Sequence, residues 1–141
     1  MNYPAIGLIV CSNILYHVCQ KSTPSGVNPA ISLVVAYGVA LISSLLLLFF
    51  FPLKESLPAA AMKVNWASIL LGLAVTGVEL GFLIAYRYGS NISNTQFSAT
   101  TILTVALIPI GIIIYREKLS LVNIAGIAVC VAGFMMMHYR K

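Results

Sequence analysis

The run at residues 66–88, WASILLGLAVTGVELGFLIAYRY, is long enough to cross a bilayer and carries a carboxylate, Glu79, well inside it. An ionisable group at that depth is expensive. It is expected only where it faces a packed interior or a wet cavity and not lipid. The remaining sequence has the apolar material to shelter it. Of the 141 residues, 60% are hydrophobic and 8% charged, whereas soluble domains are about half apolar and a quarter charged. A water-soluble domain of this size has no way to bury so much apolar surface, so the bilayer takes part of it.

Apolar runs separated by turn residues predict an all-α membrane protein with five spans, at about 5–20, 30–53, 66–86, 96–115 and 121–139, in one domain over 1–141. The first span is the least apolar. Its Asn13, His17 and Gln20 are spaced i, i+4, i+7, share one face, and should point at other helices. In the second span, Tyr37, Gly38, Ser43 and Ser44 are expected to face protein and residues 45–51 to face lipid. The connector 52–64 carries Lys54, Glu55, Pro58 and Lys63, with a short surface helix expected at 59–62.

In the third span Trp66, Tyr86 and Tyr88 suit the two interfaces. Gly77 and Gly81 form a small-residue pair that permits close helix packing. Glu79 shares its face with Thr76, Phe82, Leu83 and Tyr86, and Arg87 is placed to cap the far end. A polar loop at 89–95 follows. In the fourth span Thr100, Thr101 and Thr104 make a mildly polar side, and Pro109 is expected to kink the helix near Val105. The fifth span carries Gly126 and Gly133 among several alanines, which is again helix-packing chemistry, and Met135, Met136 and Met137 read as packing.

The basic residues are evenly divided. With alternating spans, Lys54, Lys63, Arg116 and Lys118 fall on one side, and Lys21, Arg87, Arg140 and Lys141 on the other, four of the eight on each. The positive-inside bias then has almost nothing to act on. Copies are expected to insert both ways up and to pair as an antiparallel homodimer, two chains doing what inverted repeats do within one chain.

Several function classes are not expected. The scattered basic residues make no nucleic-acid footprint. Cys11, Cys19 and Cys130 lie in apolar stretches, odd in number and without metal spacing, so neither a disulfide framework nor a metal site is expected. A signal peptide is not expected, because the first residues carry no basic side chain and the first apolar run ends in His17, Gln20 and Lys21. Asp is absent, and Glu55 and Glu117 fall in loops, leaving no acid–base pair, no phosphate loop and no nucleophile elbow. Neither enzymatic activity nor a cofactor is expected.

The hairpin Tyr115-Arg116-Glu117-Lys118-Leu119-Ser120, then Asn123-Ile124-Ala125-Gly126 and Gly133, resembles an EamA domain of the drug/metabolite transporter superfamily. The family pattern is Gly-Glu-x-Leu-Ser, a Gly a few residues on, and a second Gly about two turns later. Arg116 stands at the position of the family's first Gly. Asn28-Pro29 and Ala85-Tyr86 also resemble the family, so the likeness covers nearly the whole chain. It implies five spans and, since members commonly carry two such domains, a dimer. The small multidrug resistance proteins are similar four-span relatives that use a Glu in their first helix for cation–proton exchange. Aligning first helices on Lys21 puts Asn13 near that place, so Glu79 does not inherit the role by analogy.

The candidate substrate- or proton-binding residues are therefore Glu79, Asn13, His17, Tyr16, Tyr37, Phe82 and Tyr86. Glu79 either lines a cavity and binds a cationic group or a proton, or is a structural element, neutral or hydrogen-bonded to a helix neighbour such as Asn13 or His17. His17 reads first as a satisfied packing residue and second as a proton relay. The aromatics would supply walls, with cation–π contact, for an organic solute. The expected function is secondary active transport of a small organic solute (a metabolite, an amino acid or a cationic compound) by alternating access in the cell (plasma or inner) membrane. A non-transporting membrane subunit that partners another membrane protein is the alternative.

Overall fold

A computed structural model describes residues 3–116, 118 and 120–139. Glu117, Leu119, Arg140 and Lys141 lie outside the described residues, so the full hairpin motif and the basic end are not placed. The described residues form six helices: α1 (Tyr3–Ser22), α2 (Pro29–Leu47), α3 (Leu57–Met62), α4 (Trp66–Arg87), α5 (Ile92–Ile113) and α6 (Leu121–His138). Four of them, α2, α4, α5 and α6, are long and apolar enough to cross a membrane. The chain is an all-α, multi-pass membrane protein. α1 has the length for a span, at 20 residues, but Asn13, His17, Gln20 and Lys21 dilute it, and it is not among those four.

Local chemistry sets the helix ends. Asn28 caps α2, its Oδ1 accepting from Ala30 N at 2.9 Å, with Pro29 in the first turn where no N–H is needed. Asn65 caps α4 in the same way through Ala67 N at 3.1 Å. The Ser120 hydroxyl caps α6 by accepting from Asn123 N at 3.2 Å. Gly89 closes α4 at φ +87, a left-handed conformation that glycine adopts without steric cost, and its N–H donates to Tyr86 O at 3.1 Å.

Two boundaries differ from the sequence expectation. α2 stops at Leu47, not near residue 53, and runs out through tighter bonds from Leu48 N to Leu45 O and from Phe49 N to Leu46 O. Pro52 explains this, since it disfavours helix at the residue before it and supplies no N–H. α5 begins at Ile92, not Gln96, with Asn91 at its cap. Ser93, Asn94 and Thr95 fit a first turn whose N–H groups are free in any case. The short helix expected in the connector is α3, and beside it Lys63 pairs with Glu55 at 2.7 Å in an exposed ion pair.

The chain divides into two compact units, Met1–Gly89 and Ser90–Lys141. In the first, α4 is the central element, and α1 and α2 both pack on it. Leu83 is fully buried there, and Leu33, His17 and Tyr86 nearly so. The second unit is a pair of helices, α5 packed on α6, with Thr101 and Gly111 buried. Pro109 lies inside α5 and, lacking an N–H, leaves Val105 O without its usual donor.

Arg116 enters the turn to α6 at φ +53. A left-handed conformation costs a non-glycine residue roughly 1 kcal/mol or more. Arg116→Gly is expected to raise the thermal unfolding midpoint in detergent by about 2–4 °C, the shift for about 1 kcal/mol at this size. A lowered midpoint would mean that the arginine side chain itself holds the turn.

Candidate functional site

The site grows from one face of α4. Residues 76, 79, 83 and 86 recur at helical spacing, and the packed neighbours sit on that side. Leu83 and Tyr86 anchor the contact at 0% and 5% exposure, which fixes the rotation of α4 about its axis. Glu79 and Thr76, nearer the N-terminal end of the same face, are half-buried.

α1 brings a histidine into an aromatic cluster. His17, 5% exposed, has Nδ1 2.9 Å from the Tyr86 hydroxyl. Phe82 meets the His17 ring edge-on at 4.8 Å, and Tyr16 does so at 4.9 Å. Phe82 also contacts Tyr16 edge-on at 6.0 Å and Tyr86 at 5.9 Å. Lys21 Nζ lies 5.7 Å from the Tyr86 ring centroid, a cation–π contact. At the end of α4, the Arg87 guanidinium donates to Val27 O at 2.6 Å and to Pro24 O at 3.5 Å, which ties the 23–28 loop to the helix.

Gln20 connects this cluster to the acidic position. Its Nε2 donates to the Tyr16 hydroxyl at 3.3 Å and to the main-chain oxygen of Glu79 at 3.4 Å. The Glu79 carboxylate accepts no hydrogen bond among the described residues; the Asn13 amide bonds within its own helix and His17 Nδ1 faces the Tyr86 hydroxyl. Two hollows meet at this residue. One, of about 180 Å³, is lined by Tyr16, Cys19, Gln20, Thr23, Ser32, Leu33, Ala36 and Glu79. The other is an open groove of about 560 Å³ between α2 and α4, lined by Tyr37, Ala40, Ser68, Gly72 and Thr76 among others, with Ala36 and Glu79 common to both. The buried Tyr37 hydroxyl, on the wall of the groove, has no hydrogen-bond partner among the described residues. A carboxylate flanked by aromatic rings and a spare phenol can hold a cationic or hydrogen-donating group, or a proton.

Of the seven candidate residues, six gather here. Asn13 does not join them. It is exposed, and its amide donates to Ile9 O in its own helix at 3.2 Å, so a local bond satisfies it. Within each unit the glycines are mostly not at close helix contacts. A Cβ built on Gly77, Gly81 or Gly126 would meet nothing within 4 Å, and only Gly133 faces a neighbour, Phe97 Cζ at 4.0 Å. The reason is rotational, because α1 and α2 pack against the Glu79 side of α4 and leave the Gly77–Gly81 side open. Sequence reasoning put Gln20 on the His17 face without counting it among the seven candidates, and it missed the part played by Ala36 and Ala40. Their signal was small-residue spacing on α2, at i and i+4, where a neighbouring helix approaches.

No family model, curated protein or solved structure matches the chain.

Proposed function

We propose that the chain is a secondary transporter of a small organic solute in the cell membrane, an EamA-like half that works as an antiparallel homodimer of five-helix protomers. The observation that carries this reading is the Glu79 carboxylate, set within an apolar span, without a hydrogen-bond partner among the described residues, at the junction of two hollows. Such a group is costly in a membrane unless something binds it. A solute with an amine or other donor, or a proton, would satisfy it in one state and leave it in another, which is the core of alternating access.

α1 serves as the fifth span in this reading. Its length corresponds to about 30 Å, the thickness of the hydrocarbon core. Its polar His17 and Gln20 are engaged with α4, so its apolar residues Leu8, Ile9, Ile14 and Leu15 are free to meet lipid. The solute is a metabolite, an amino acid or a cationic compound, and the driving force a proton gradient or the solute's own.

Liposomes containing this protein alone, offered radiolabelled amino acids, metabolites and organic cations, are expected to show saturable uptake of at least one class. Uptake that matches empty liposomes for every class would favour the non-transporting subunit instead.

A further inference from the structure

The second unit holds a hollow that the proposed transport site does not use. It lies between α5 and α6, measures about 520 Å³, and includes Thr100, Thr101, Thr104, Asn123, Gly126 and Cys130 in its lining. That volume is within the range of small-molecule sites, about 300–1,000 Å³. The hollow is open on one side at Gly126, where a Cβ would meet no atom within 4 Å.

Four hydroxyls of the spans are bonded within their own helix. Ser43, Ser44, Thr76 and Thr104 each donate to the carbonyl four residues earlier, at 2.9, 2.7, 2.9 and 2.8 Å. That is how a hydroxyl is satisfied where no water is at hand. Thr100 and Thr101 do not do this, and neither they nor the Asn123 amide makes a side-chain hydrogen bond among the described residues. Thr101 is only 7% exposed. Three polar side chains thus line one apolar hollow with their hydrogen-bonding capacity unspent. Among the described residues, no charged one lines it.

We infer that this hollow is a binding site for an uncharged, largely apolar molecule that carries a hydrogen-bonding group. The apolar wall takes its body, and Thr100, Thr101 and Asn123 take its polar end. A charged molecule is excluded because nothing in the wall would compensate its desolvation. The site does not depend on the transport reading, since every residue in it belongs to the second unit.

Cys130 supplies the test. In a variant with Cys11 and Cys19 replaced by Ala, the rate of Cys130 alkylation by N-ethylmaleimide would be followed with 1-naphthol, naphthalene or 1-naphthalenesulfonate present. 1-Naphthol is expected to protect Cys130, and the sulfonate not to. The preference for 1-naphthol over naphthalene should fall roughly three- to tenfold in Thr101→Val, the size of one hydrogen bond. Comparing variants in this way cancels the partitioning of the probes into lipid. Gly126→Leu, which fills the hollow, should abolish protection at unchanged helix content. If Thr101→Val misfolds, the doubly substituted Thr100→Val/Asn123→Leu chain gives the same readout. Absence of protection by 1-naphthol, equal protection by the sulfonate, or an unchanged preference in the variants overturns the inference. So does protection without any probe that disappears on dilution to monomers, which would assign the hollow to a second copy.

Discussion

Glu79→Gln is expected to cut solute flux in liposomes at least tenfold while leaving helix content and oligomeric state unchanged. The expectation follows from what the side chain does and does not touch. Its carboxylate accepts no hydrogen bond among the described residues. The link from this position to α1 runs through its main-chain oxygen, which accepts from Gln20 and is retained in the variant. The packing of α1 on α4 rests on His17, Leu83 and Tyr86. Gln is nearly isosteric but carries neither the charge nor an ionisable proton. A charge-assisted hydrogen bond to a solute is worth about 1.5–3 kcal/mol, roughly ten- to a hundredfold in binding. Because a charge in a membrane is costly, its removal should leave stability equal or slightly higher. Flux in the native protein should respond to an imposed pH gradient, and flux in the variant should not. A structural Glu79 predicts the reverse pattern, with lowered stability and intact flux, and that result would sink the transport reading of this residue.

The sequence disclosed the parts of this architecture that depend on one helix at a time. Periodicity put Glu79, Leu83 and Tyr86 on one face of α4, and that face is the packed one. The turn residues Asn28, Asn65 and Gly89 fall at helix boundaries because capping is local chemistry. What stayed hidden depends on a second element. Asn13 shares a face with His17 and Gln20, but whether a polar side chain reaches across or bonds its own helix depends on how close the neighbour comes. At Asn13 the bond is to Ile9 O. Gly77 and Gly81 have packing chemistry whatever faces them, and their spacing does not say that α1 and α2 approach from the other side. The hollow of the second unit is a matter of missing volume. Three threonines are visible in the sequence, but the space beside Gly126 is not.

A single cysteine placed after Lys141, in a variant lacking Cys11, Cys19 and Cys130, is expected to be labelled from outside intact cells in about half the copies. The rest should react only after permeabilisation. The basis is the even division of the basic residues, and it holds whether or not α1 crosses the membrane. Residues 1–20 contain no Lys or Arg, so moving them from one side to the other changes no count. Lys54 and Lys63 lie in the α2–α4 connector, Arg116 and Lys118 in the α5–α6 turn, and Lys21 and Arg87 at the ends of α1 and α4. With Arg140 and Lys141 at the chain end, the eight basic residues divide four and four. The balance should also be breakable. Lys54→Gln with Lys63→Gln leaves two against four, which should draw the richer side to the cytoplasm and the C-terminus with it. External labelling should then fall well below half. Lys63 is paired only with the exposed Glu55, so the two changes should cost little stability. Labelling of all copies or of none in the starting protein would establish one fixed orientation. The antiparallel homodimer would then give way to a parallel dimer or to an oppositely oriented partner chain.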